Sequence, residues 1–132
     1  MLDSDLYLRA TADGNLTADV ASSAGTILDL GRGGGEYTFW CRVPSDSGTD
    51  TLIITLEFDD DSALGSIDEE IELATITGGT DTFPYFLTYR FHTNRRYMGV
   101  HWDVTDTGGG VNFGAVEAGI AKDAVPSQGK RP

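Results

Sequence analysis

A chain of 132 residues with 39% hydrophobic side chains is long enough for one domain with a real core. Its net charge of −12 argues against a nucleic-acid partner, because phosphate contacts need clustered Lys and Arg. No apolar run approaches the roughly 20 residues that span a bilayer, so no membrane partner is expected.

The charge is uneven. Lys122, Lys130 and Arg131 against Asp123 leave the last eleven residues at +2, so residues 1–121 carry −14. Acidity of this kind keeps a chain dispersed, and it also suits docking on a basic protein surface. Met1-Leu2-Asp3-Ser4-Asp5 has neither a basic nor an apolar signal region, so a protein made in a cytoplasm is expected. Cys41 is the only cysteine; it falls inside an alternating strand and reads as an inert core residue.

Taken in order, residues 6–10 form a short candidate strand that ends at Asp13-Gly14-Asn15. Residues 16–20 read as a second strand or as an arm along the sheet, and residues 26–30 as another strand. The glycine-rich loop Gly31-Arg32-Gly33-Gly34-Gly35 follows. Residues 36–43 alternate, with Tyr37, Phe39, Cys41 and Val43 inward and Glu36, Thr38, Trp40 and Arg42 outward. Residues 51–59 put Leu52, Ile54, Leu56 and Phe58 inward. Period-two alternation with aromatic and β-branched residues is the mark of a half-buried strand.

Residues 62–77 are ambiguous. Ser66 followed by Glu69 resembles a helix capping box, whereas Ile71, Leu73 and Thr75 alternate with Glu70, Glu72 and Ala74. The alternation favours a strand over 69–77. Residues 82–91 place Phe83, Tyr85, Leu87, Tyr89 and Phe91 on one face, with Pro84 at an edge or in the run-in. Residues 95–120 read as a long hairpin around Gly108-Gly109-Gly110, which supply positive φ. Val111, Phe113 and Ala115 resume the alternation, and the parity flips beside Gly114 to Val116, Ala118 and Ile120. Such a flip marks a bulge or a crossing between sheets. The reading is all-β: a two-sheet antiparallel sandwich of jelly-roll type over residues 1–121, with a polar tail over 122–132.

Motifs for chemistry are weak. The loop at 31–36 lacks the third glycine of a dinucleotide fingerprint, because Glu36 stands there and a strand follows. Asp59-Asp60-Asp61 invites a calcium reading, but Ala63 and Leu64 occupy positions where an EF-hand needs an oxygen and a glycine; a solvated acidic turn fits better. His92 and His101 lack metal-ligand spacing. No nucleophile or metalloprotease motif occurs, and the many acidic residues single out no catalytic pair. No enzyme activity, cofactor or metal is expected. Trp40, Phe86 and Tyr97 lie opposite their strands' apolar faces, either as a contact surface or covered by loops or an arm. Arg95-Arg96, an adjacent basic pair in an acidic body, is a docking contact or part of internal ion pairs.

In this order the chain resembles the small jelly-roll cement (decoration) proteins on the capsids of tailed bacteriophages. The cues are Met1-Leu2-Asp3 before a short strand, Ile27-Leu28-Asp29-Leu30-Gly31 before a glycine-rich loop, and the Tyr37-to-Val43 strand. Further on come Asp59-Asp60-Asp61 after residues 51–58, Arg96-Tyr97 opening the penultimate strand, and Ala118-Gly119 near the end. The 92–95 loop without proline and the long tail depart from the family pattern. The resemblance implies a non-enzymatic protein on the capsid exterior of a virion, made in the host cytoplasm. It would bind the major capsid protein and itself, as a dimer or trimer, and bridge neighbouring capsomers. Residues 1–5, 92–96 and 122–132 are the available contact segments, with Leu2, Arg95, Arg96, Lys130 and Arg131 as contact residues beside Trp40. The alternative is a carbohydrate-binding jelly roll of a phage tail or adsorption apparatus, in which Trp40 and Tyr97 stack on sugars.

Overall fold

The computed structural model describes residues 6–32 and 35–122. Its eight strands are β1 (Tyr7–Arg9), β2 (Leu28–Asp29), β3 (Gly35–Val43), β4 (Thr51–Asp59), β5 (Glu69–Thr77), β6 (Tyr85–Thr93), β7 (Tyr97–Thr105) and β8 (Glu117–Lys122). They form two four-stranded sheets, ordered β1-β8-β3-β6 and β2-β7-β4-β5. Every pairing is antiparallel, and β4 with β5, β3 with β6, β2 with β7 and β1 with β8 are all hydrogen-bonded pairs. One long antiparallel ribbon with its tip at β4–β5, rolled on itself, generates this order. The fold is the jelly roll expected from the alternation. Among the described residues the helical ones lie in short 3-10 turns, Thr11–Asp13 and Ser22–Ala24 among them.

The core follows the parity of the strands. Tyr37, Phe39, Cys41 and Val43 of β3 and Leu52, Ile54, Leu56 and Phe58 of β4 are all buried, as are Met98, Val100 and Trp102 of β7. Phe91 joins the two sheets, with its ring 5.6 Å from Tyr37 and 5.4 Å from Phe58. Burying one large apolar side chain contributes roughly 1.5–3 kcal/mol, so this set dominates the stability. Burial pushes the Cys41 thiol up to about 12, which makes it inert as a nucleophile.

The structure corrects several sequence expectations and decides one left open. Residues 95–120 are not a hairpin: β7 pairs with β2 and β4, and β8 pairs with β1 and β3 in the other sheet. The parity flip at Gly114 was the signal of that crossing. Residues 106–116 form a loop rather than a resumed strand. It is held by Phe113 N–H to Leu16 O at 3.0 Å, Leu16 N–H to Gly114 O at 2.8 Å and Asn112 N–H to Ser47 Oγ at 2.8 Å. Gly108, Gly109, Gly110 and Gly114 all adopt positive φ within it.

Residues 16–20 make only an isolated bridge, Val20 to Trp102, so the arm alternative holds. In β5 the pairing slips between Ile54 and Thr55 of β4, where Ala74 and Glu72 are the successive partners. Leu73 is therefore the bulged residue, and the inward parity passes from Ile71 to Ala74 and Ile76 while Thr75 turns out. Tyr89 shares the inward parity of β6 yet is 40% exposed, because β6 is the edge of its sheet and one of its flanks is uncovered. Finally, β8 runs through Lys122, one residue into the expected tail.

Candidate functional site

The outer face of the β1-β8-β3-β6 sheet is built by register. Tyr7, Gly119, Trp40 and Thr88 lie in one row across the four strands, and Glu117, Arg42 and Phe86 in the next. Gly119 is the reason Trp40 can lie flat. A Cβ there would stand 3.0 Å from Trp40 Cζ2 and 2.9 Å from the Leu6 carbonyl oxygen. Tyr7 closes the other side edge-on, with its ring 5.3 Å from the indole at an interplanar angle of 80°. Trp40 is thereby half-buried, and its Nε1–H is shielded without a hydrogen-bond acceptor. Phe86, diagonal to it, is 69% exposed. Around these aromatics stand charged pairs, Arg42–Glu117 at 3.8 Å and Arg90–Glu36 at 3.3 Å.

The opposite sheet face is not equally open. Leu64, at φ 51°, and Ser22 fold over Gly99 in the middle of β7, where a Cβ would meet Leu64 Cδ1 at 2.8 Å and the Ser22 carbonyl oxygen at 3.0 Å. The Ser22 hydroxyl donates to Glu57, whose carboxylate also lies 3.9 Å from His101 Nδ1. This arm and loop cover part of the β2-β7-β4-β5 face, so the two alternatives posed for outward aromatics divide between the sheets.

The tentative contact residues separate in the same way. Arg95 Nη1 lies 3.0 Å from Asp60 and 3.5 Å from Asp68. Arg96 grips Asp29 with two hydrogen bonds, Nε to Oδ1 and Nη2 to Oδ2, both 2.9 Å. Its guanidinium also covers the Tyr97 ring at 5.1 Å. Both arginines thus serve internal ion pairs and stand apart from Trp40. Leu2, Lys130 and Arg131 lie outside the described residues.

The acidic triplet is used as loop scaffolding. Asp59 is buried and accepts the Ser66 N–H at 3.0 Å, Asp60 accepts from Arg95 and from the Arg96 N–H, and Asp61 accepts the Ala63 N–H. The Ser66 N–H bond is also the main cause that holds the Asp59 carboxyl below its usual range. Asp59 is therefore no solvated turn residue, and Ser66 does not cap a helix. Among the described residues no three His, Cys, Asp or Glu side chains converge as a metal centre.

Sequence reasoning picked out Trp40 and Phe86 but missed Tyr7, whose direction depends on an irregularity in β1–β8 pairing that no residue pattern announces. The chain matches no protein-family model, and no curated protein matches it in sequence.

Proposed function

We propose that the chain is a non-enzymatic capsid decoration protein. In this reading it docks as a homo-oligomer on the outer surface of an assembled phage head and bridges neighbouring major capsid proteins. The observation that carries the reading is Phe86, 69% exposed on the rim of the Tyr7–Trp40 cluster. A large apolar ring left in water beside half-buried aromatics, with charged pairs around it, has the anatomy of a protein contact patch: an apolar centre and a polar rim. The two hydrogen-bonded sheets beneath it hold that patch rigid, so little ordering entropy is lost on docking. The family resemblance of the sequence supplies the partner.

The sugar-binding alternative fits less well. Stacking on a sugar needs an open aromatic face, but the Tyr97 ring carries the Arg96 guanidinium, and Trp40 lies against Gly119 with Tyr7 at its side. The deciding experiment mixes purified protein with heads that lack it, sediments them, and compares heat- or pressure-induced DNA release. Co-sedimentation and delayed release support the decoration role. Equal release at confirmed full occupancy, or no co-sedimentation, overturns it.

A further inference from the structure

Arg9 belongs to a three-residue edge strand, where an arginine ordinarily reaches into solvent, yet it is only 8% exposed. The cause is the slip in β1–β8 pairing, in which Tyr7 opposes Gly119 and Arg9 opposes the very next residue, Ala118. Tyr7 turns to the outer face against Trp40, and Leu8 and Arg9 are both buried. Bulges re-aim side chains in this way. Ala118 is also opposite Cys41, so Arg9 joins the inward row at the cleft between the two sheets.

The hydrogen bonds of Arg9 do not close. Nη2 donates to the Gly14 carbonyl at 2.9 Å, whereas Nε is buried with no acceptor. Among the described residues no carboxylate stands within ion-pair distance of it. Arg9 and Asp13 both line a cavity of about 390 Å³, together with Leu8, Val20, Thr26 and Trp102, among others. That volume lies within the roughly 300–1,000 Å³ of small-molecule sites. Burial lowers the Arg9 pKa, and Asp13 is the main charge opposing that shift. A desolvated guanidinium with an orphaned N–H is costly, and its planar fork matches a carboxylate. Asp13 brings a negative charge to the same cavity, which disfavours a second anionic group there and favours a hydrogen-bond donor.

We propose that this cleft binds a small monocarboxylate with a donor beside the carboxylate, an α-amino or α-hydroxy acid, its carboxylate on the Arg9 guanidinium and its donor turned to Asp13. The site is separate from the outer-face patch around Phe86, so it stands whether or not that patch docks on a capsid.

The test follows thermal unfolding of the full chain with L-alanine, lactate, acetate, succinate or glycerol, alongside the NMR signal of the Arg9 Nε–H. Alanine and lactate should raise the unfolding midpoint saturably, acetate and succinate less, and glycerol not at all, because a ligand that binds only the folded state stabilises it. Arg9→Met should remove the response, and it should fold, since replacing a buried unpaired ion with an apolar side chain of similar length is often neutral. Arg9→Lys should weaken apparent affinity by roughly tenfold, because the ammonium offers no fork. Asp13→Asn, whose amide oxygen can still accept the Ala10 N–H that Asp13 holds at 2.8 Å, should level alanine with acetate. If Arg9→Met does not fold, Arg9→Lys and Asp13→Asn carry the test. The proposal is overturned by an equal response to glycerol, by affinity unchanged in Arg9→Lys, or by a response that persists in Arg9→Met. It is also overturned if the wild type shows neither a midpoint shift nor a moved Nε–H signal, which would mean that water alone fills the cleft.

Discussion

Arg96 and Asp29 meet fork to fork, Nε on Oδ1 and Nη2 on Oδ2, each at 2.9 Å. The pair fastens the entrance of β7 to the short β2, whose residues Leu28 and Asp29 face Met98 and Tyr97. The Arg96 guanidinium, with help from the Gly31 N–H, draws the Asp29 carboxyl down from 3.8 to about 2. A carboxyl whose folded-state pKa is depressed adds stability in full above its unfolded value and loses it as the pH falls through the folded one. The expected result is an Asp29 carboxyl carbon that titrates near 2 by NMR, with the pair's contribution fading between about pH 3.8 and 2. In Arg96→Lys the bidentate grip is gone, and the titration should move upward. An Asp29 midpoint still near 2 in that variant would assign the shift to the Gly31 N–H instead.

Much of this was legible in the residues. The alternation of Tyr37, Phe39, Cys41 and Val43 and of Leu52, Ile54, Leu56 and Phe58 fixed the inward faces of β3 and β4, because a period of two admits only two facings. The facings that failed did so where the period breaks. Leu73 is a bulge, and the outward turn of Thr75 follows from it. Partner choice was the other gap. Glycines at 108–110 permit a hairpin, but Ser47, Asp50 and Leu16 instead tie the 106–116 loop across the end of the sandwich. Those bonds span many residues and leave no local signature. The outer-face site was half legible: parity exposed Trp40 and Phe86, while the outward Tyr7, like the inward Arg9 of the separate cleft, depended on the β1 slip.

Trp102 and Trp40 should behave differently when truncated. Trp102 is 2% exposed and is bonded through its backbone to Val20 in both directions, at 2.9 and 3.0 Å. Trp102→Ala should cost about 3–5 kcal/mol, the range for emptying a large aromatic site. Trp40 is half-buried on the outer face, so Trp40→Ala should cost clearly less. Urea unfolding of the two variants decides it, and the reverse order would contradict the assigned facings.

Gly99 tests whether the arm and the 60s loop truly cover β7. A Cβ at this position meets Leu64 Cδ1, which can move, and the Ser22 carbonyl oxygen, which is backbone. Gly99→Ala should therefore destabilise by about 1–3 kcal/mol through overpacking. Combining it with Leu64→Ala should recover part of the midpoint loss, giving a negative coupling in the double-mutant cycle. Strict additivity would mean that the Leu64 side chain does not lie over Gly99 in solution.

Phe86 carries the functional prediction. At 69% exposure its side chain makes few internal contacts, so Phe86→Lys should change stability by no more than about 0.5 kcal/mol, as surface substitutions do. If the outer face of the β1-β8-β3-β6 sheet is the docking surface, the same change places a charge within the contact. Buried aromatic anchors often cost 2 kcal/mol or more when lost, so occupancy on heads should weaken by at least about tenfold, a factor that corresponds to about 1.4 kcal/mol. Thr75→Lys supplies the comparison. It is exposed on β5 of the other sheet, adds the same charge, and should leave occupancy unchanged. Sedimentation of heads with each variant, at matched folded concentration, reads the difference. Equal loss with both variants would make the effect one of net charge, and no loss with Phe86→Lys would remove this face as the docking surface.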